Sequence, residues 1–230
     1  MDKKAKNITI FLLGILPALF AQIIGAYFYF IAFAGTGFAQ ILYAGVKVFI
    51  FAWPIFWYFV AFKPAKFENR DLKCSIFWGM VTGLLIGGVI LDSYFLFRDY
   101  FDSYHGVFYE KVRDFNIESY YLYVGIVFSI FHSLLEEYYW RWFVLKGLML
   151  KMPFWPAAII GSAAFAGHHY IVLSQFFDPV MTGIFGTAVG VGGLIWCYLY
   201  KTYGSIIGPW ISHFWVDLGL VLVGYYVMFA

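Results

Sequence analysis

Apolar runs of about eighteen or more residues recur along the whole chain, and each is long enough to cross a hydrocarbon core about 30 Å thick as a helix. Inside lipid every backbone N–H and C=O must find a partner within its own segment, so such runs are read as helices. The spans are expected at about 8–33, 38–62, 75–97, 118–146, 155–175, 181–200 and 206–228. The predicted fold class is all-α: a polytopic transmembrane helical bundle of about seven spans, or eight if the 98–117 segment holds a further re-entrant one. Charged residues make up only 12% of the chain, against roughly 25% in an average soluble domain. No stretch is left for a sizeable soluble domain, and residues 1–230 read as a single transmembrane domain.

The lysines at 3, 4 and 6 precede an apolar run from Ile8 to about Ala34. That run is longer than the ~7–15 residues of a signal-peptide core, so it reads as the first retained span. Under the seven-span count Lys63, Lys66, Arg70, Lys73, Lys146, Lys151 and Lys201 fall on the same side as the N-terminus. That side is expected to be cytoplasmic, in a cell membrane of prokaryotic type, with membrane lipid as the constant partner. A net charge of +2 implies no nucleic-acid partner. Two cysteines, Cys74 and Cys197, fit neither a disulfide framework nor a zinc knuckle and are expected to be reduced, inert thiols.

Small residues recur every four positions at Gly79, Gly83 and Gly87, at Ala158, Ser162 and Ala166, and at Gly186 and Gly190. Such stripes let helix backbones approach closely in lipid. The 98–117 connection carries charges of both signs among tyrosines and phenylalanines, and is expected to be an amphipathic segment at the interface, with a substrate-facing lid as the alternative. Lys47 and Asp92, isolated charges at similar depth in the second and third spans, are expected to pair.

Three further segments place ionisable groups in apolar surroundings, where each charge costs about 2.5–3.5 kcal/mol on insertion scales and needs a partner or a task. The first runs from Ser129 to Arg141. On a helix His132, Ser133, Glu136 and Trp140 share one face, while Glu137 and Arg141 form an i,i+4 pair on a neighbouring face. One arginine neutralises one of two adjacent carboxylates, which leaves Glu136 for another purpose. The second segment is Phe165-Ala-Gly-His168-His169, whose two histidines point in different directions. In the third, His213 and Asp217 lie one helical turn apart, so that the carboxylate can orient the imidazole. Together they supply an acid, a base and hydrogen-bond donors within one bundle.

At these segments the chain resembles the CAAX protease and bacteriocin-processing family, also called the Abi family. Glu136-Glu137-Tyr-Tyr-Trp-Arg141 matches its EExxxR motif, Phe165 to His169 its FxxxH motif, and His213-Phe-Trp-Val-Asp217 its HxxxN/D motif, in the family's order and within 118–220. The resemblance implies an all-helical intramembrane endopeptidase acting on a peptide or a lipidated, prenylated protein, with no cofactor. It implies that Glu136 and His169 activate a water, that His213 and Asp217 stabilise the oxyanion, and that Glu137 and Arg141 support the site. His132 and His168 lie beside these residues, and His168 is an alternative to His169. Asp217 stands where better-studied members tend to have Asn. A carboxylate donates only when protonated and otherwise accepts a bond from His213.

Other readings compete. His132, Glu136, His169 and His213 together could hold zinc in a metallopeptidase, although the chain has no HExxH motif. The fold could also serve as a non-catalytic scaffold or bacteriocin-immunity protein, or as a proton-coupled transporter.

Overall fold

The computed structural model describes residues 3–62 and 70–230, with side chains from Ile8 to Val60 and from Arg70 onwards. The side chains of Lys3, Lys4 and Lys6 and the whole of Lys63 and Lys66, among the charges that orient the chain, lie outside the described residues. Helices dominate as expected. Among the described residues six are long and apolar enough to cross a membrane, and a seventh candidate is the bent pair His105–Asp114 and Glu118–Met149. The chain is an integral, multi-pass membrane protein. Its surface is correspondingly apolar: Leu96, Phe59 and Ile41 are more than 70% exposed, while the largest fully buried side chain is Arg141.

The chain divides into two compact units, the first formed by 1–68 and 138–198 and the second by 69–137 and 199–230. In the first, α1 (Lys3–Tyr27) is followed by α2 (Gly37–Trp57), whose N-terminus is capped by the Thr36 hydroxyl accepting from Ala39 N–H at 3.2 Å. The two run antiparallel, with Trp53 Nε1–H donating to the Gly14 carbonyl at 2.9 Å.

The second unit holds α3 (Leu72–Leu96), the short α4 (Arg98–Asp102) and α5 (His105–Asp114), α6 (Tyr121–Glu137) and α10 (Ile207–Phe229). Asp71 caps α3 by accepting from Cys74 N–H at 3.0 Å, and that hydrogen bond holds its carboxyl below the usual range. Helices α3 and α10 run parallel. Asp71 N–H reaches the Tyr203 carbonyl at 3.3 Å near their starts, and Tyr94 stacks on Tyr226 at 5.8 Å near their ends. Helix α6 lies antiparallel to α10, with Trp210 Nε1–H donating to the Ile130 carbonyl at 3.0 Å.

Helices α3 and α10 touch along the glycine stripe read from the sequence. Gly79 meets Gly208, Gly83 meets Ser212 and Trp215, and Gly87 meets Trp215. A Cβ on Gly83 would fall 2.8 Å from Ser212 Cα and 2.9 Å from Trp215 Cβ. Gly83→Val is therefore expected to lower the thermal midpoint in detergent, the overpacking costing about 1–3 kcal/mol. A wild-type midpoint would show that this contact does not hold α10 in place.

Within the 98–117 connection the chain forms two short helices, α4 and α5. Phe101 and Phe108 pack onto the cluster of Tyr94, Val223 and Val227, and Val112 is buried. Asp102 accepts from Tyr94 Oη at 3.1 Å and pairs with Arg98 at 3.2 Å, which raises the Arg98 pKa further above its ordinary value. Asn116, at φ 53°, adopts the left-handed conformation where the chain turns by 97° into the helical run from Glu118.

Lys47 lies 5.0 Å over the Tyr43 ring in the first unit. Asp92 belongs to the second unit, so its pairing with Lys47 stays an expectation. Both cysteines are thiols rather than disulfide halves: Cys74 is exposed, and Cys197 is buried with its sulfur 3.8 Å from Ser162 Oγ.

Candidate active site

Five ionisable side chains meet in the second unit where α6 packs on α10. His132, Glu136 and Glu137 come from the C-terminal half of α6, and His213 and Asp217 from the first half of α10. The glycine contacts with α3 fix the register of α10.

The contacts among them alternate imidazole with carboxylate. His132 Nδ1 lies 3.2 Å from Asp217 Oδ2, and its Nε2 lies 3.6 Å from Glu136 Oε1. His213 Nε2 faces Glu136 Oε2 at 3.8 Å and Asp217 Oδ1 at 3.5 Å, while its Nδ1–H donates to Glu137 Oε1 at 2.9 Å. The side chains of Glu136, Glu137 and His213 are at most 5% exposed, whereas that of His132 is 21% exposed.

Two pairings differ from those read off the sequence. Spacing alone joins His213 to Asp217, but the closer carboxylate to His213 is Glu137, and Asp217 lies closer to His132. A partner on a facing helix is not bound to the i,i+4 geometry, and here it gives the shorter contact. Ser133 does not turn to the cluster. Its hydroxyl donates back to the Ser129 carbonyl within α6.

The remaining motif residues belong to the first unit. Directly after Glu137 the helix widens into a π-helical stretch, Tyr138–Leu145. Such stretches are rare and concentrate at functional sites. The 3.6-residue spacing that assigns Trp140 to the Glu136 face does not apply through it. Short α7 (Lys146–Met149) follows, then α8 (Phe154–Leu173) and α9 (Pro179–Tyr203). Arg141 is 1% exposed. Its guanidinium lies 5.0 Å from the ring centres of both Phe165 and Trp196, and Nη2–H donates to the Gly193 carbonyl at 3.2 Å. The arginine of the first motif and the phenylalanine of the second are thus packing partners. Gly193 lies close to α8, since a Cβ there would sit 3.0 Å from Ser162 Oγ.

His168 is buried and lies parallel to the Trp140 ring at 6.2 Å. His169 is only partly buried, and its Nδ1–H donates to the Phe165 carbonyl at 2.9 Å. That bond fixes the tautomer and leaves the lone pair on Nε2, the form a general base needs.

Residues 118–219 match the family model described as type II CAAX prenyl endopeptidase, Rce1-like. This part of the chain is Rce1-like. The matched stretch, a little under half of the 230 residues, is similar to CAAX-type intramembrane endopeptidases. Comparison with curated proteins and with solved structures finds no match. The Rce1-like stretch takes in all three motifs and His132, which belongs to none of them. No spacing rule singles out the His132–Asp217 contact, and only the polar run on α6 hints at it. The Rce1-like stretch also contains residues able to bind a metal. The ligand atoms of His132, Glu136 and His213 lie within 4.8 Å of one another, near the roughly 3.2–3.6 Å separations that zinc bonds of about 2.0–2.2 Å impose in a tetrahedron.

Proposed function

We propose that the protein cleaves a peptide bond of a prenylated or otherwise membrane-associated CAAX-type substrate by a water that Glu136 activates. What carries this reading is the burial of Glu136 between two imidazoles inside the Rce1-like stretch. Placed between the two imidazoles, the Glu136 carboxylate can take a proton from water and later give it to the leaving amine. His169, with its lone pair on Nε2, assists as base, and the stacked His168 has a packing role. Glu137 holds His213 by Nδ1, and His213 turns its Nε2 to the Glu136 side of the cluster to serve the oxyanion. Arg141 keeps the helix in place through Phe165 and Trp196. The N-terminus lies on the cytoplasmic side.

The ligand spacing of His132, Glu136 and His213 favours a second reading, a metal-dependent peptidase. Held there, zinc would polarise the carbonyl and activate the same water. The class of function is tested with the purified protein in liposomes, given a farnesylated CAAX peptide and its unprenylated counterpart, with fragments read by mass spectrometry and proton flux by an enclosed dye. Cleavage after the prenylated cysteine is the expected result. Proton flux without cleavage would point to a transporter, and neither signal to a non-catalytic scaffold or immunity protein.

A further inference from the structure

We propose that His132, which lies outside the three motifs, is a proton carrier for Glu136, and that Asp217 is the residue that positions it. This rests on the glutamate reading above. Asp217 accepts from His132 Nδ1–H at 3.2 Å, which places the ring's lone pair on Nε2, and Nε2 faces Glu136 Oε1 at 3.6 Å. The ring is held on its face by Phe128, stacked at 4.6 Å and 19°. It stands edge-on to His213, with the centroids 6.2 Å apart. A carboxylate, an imidazole and the reacting group in line are the arrangement by which an acid residue acts through a histidine, fixing its tautomer and stabilising the imidazolium.

The arrangement gives Asp217 a task that an ionised carboxylate can perform. It has no proton to offer an oxyanion, but it can accept from His132 in every protonation state of the ring. In the step proposed, a water O–H bond breaks, its proton goes to Glu136, and its oxygen bonds to the peptide carbonyl carbon. Glu136 passes the proton to His132 Nε2, and the imidazolium formed keeps Nδ1–H on Asp217. As the C–N bond breaks, the proton returns through Glu136 to the amine nitrogen, so one water has been added across the amide. Among the three side chains in line, that of His132 is the most exposed, at 21% against 5% for Glu136 and 11% for Asp217. The stored proton therefore sits on the group least enclosed by the bundle.

Two substitutions divide the ring's two nitrogens. His132→Asn places an amide donor where Nδ1 lies and so keeps the Asp217 bond, but removes Nε2; His132→Gln places an amide near Nε2 that cannot take a proton. Both are expected to lower kcat by about 10–100-fold, with KM changed less than about threefold and the thermal midpoint close to wild type. Asp217→Asn is expected to lower kcat in the wild-type background but less than about twofold further in His132→Asn, because the two residues act as one unit. If His132→Asn unfolds the protein, the same comparison in His132→Gln decides. Near-normal kcat in His132→Asn, or losses that multiply in the double variant, would overturn the proposal. Glu136→Gln in the same assay separates the outcomes: if it is inactive while the His132 variants turn over normally, only the carrier role fails, and if it is active the glutamate reading itself fails.

Discussion

Replacing Glu136 by Gln is expected to lower turnover of a verified substrate by about 10² or more while the protein still inserts and folds. The amide keeps the side chain's shape and its capacity to accept a hydrogen bond, but it cannot take a proton from water. Its neighbours His132 and His213 remain within 4 Å, so the site loses chemistry rather than structure. Glu137→Gln should behave differently. Glu137 is fully buried against His213 Nδ1, so the amide disturbs a buried hydrogen bond that positions the ring. A fall in expression or thermal midpoint should therefore accompany whatever activity is lost. Equal thermal stability of the two variants, with equal activity, would mean that the adjacent glutamates have not been divided between chemistry and support.

Arg141→Ala is expected to be the most destabilising single substitution in the chain, by about 3–5 kcal/mol, as for other broken buried charge networks. It removes a guanidinium held between the Phe165 and Trp196 rings together with its bond to the Gly193 carbonyl, and it leaves a cavity that two rigid rings cannot close. Arg141→Lys should recover part of the loss, since an ammonium keeps the charge over the rings but not the planar contact. The check is the thermal midpoint in detergent, expected to drop by roughly 10 °C for Ala and less for Lys. A wild-type midpoint for Arg141→Ala would show that the aromatic clasp contributes little.

The membrane bundle was legible because burial in lipid imposes length and apolarity on each span, and those can be read residue by residue. The glycine stripe on α3 was legible too: small residues at a spacing of four have one structural use in lipid, and Gly79, Gly83 and Gly87 all meet α10. Helix geometry likewise placed His132 and Glu136 on one face, where their side chains lie 3.6 Å apart. What spacing did not reveal depends on partners far away in the chain. Glu137 with His213 and His132 with Asp217 are contacts between facing helices, 76 and 85 residues apart. The π-helical stretch after Glu137 departs from the period on which face assignments rest, and the clasp around Arg141 draws on Phe165, Gly193 and Trp196 from two other helices. At 98–117 the mixed charges and aromatics did not reveal the helix pair, whose phenylalanines turn onto Tyr94 and Val223 from distant parts of the chain.

The most direct test of a glutamate-activated water is the turnover of a verified substrate by the purified protein in the presence of a strong chelator, with and without added zinc. The expected result is a rate unchanged by chelation and unaffected by zinc, with Glu136→Gln inactive throughout. Activity lost to the chelator and restored by zinc would contradict it and assign the chemistry to a metal held by His132, Glu136 and His213.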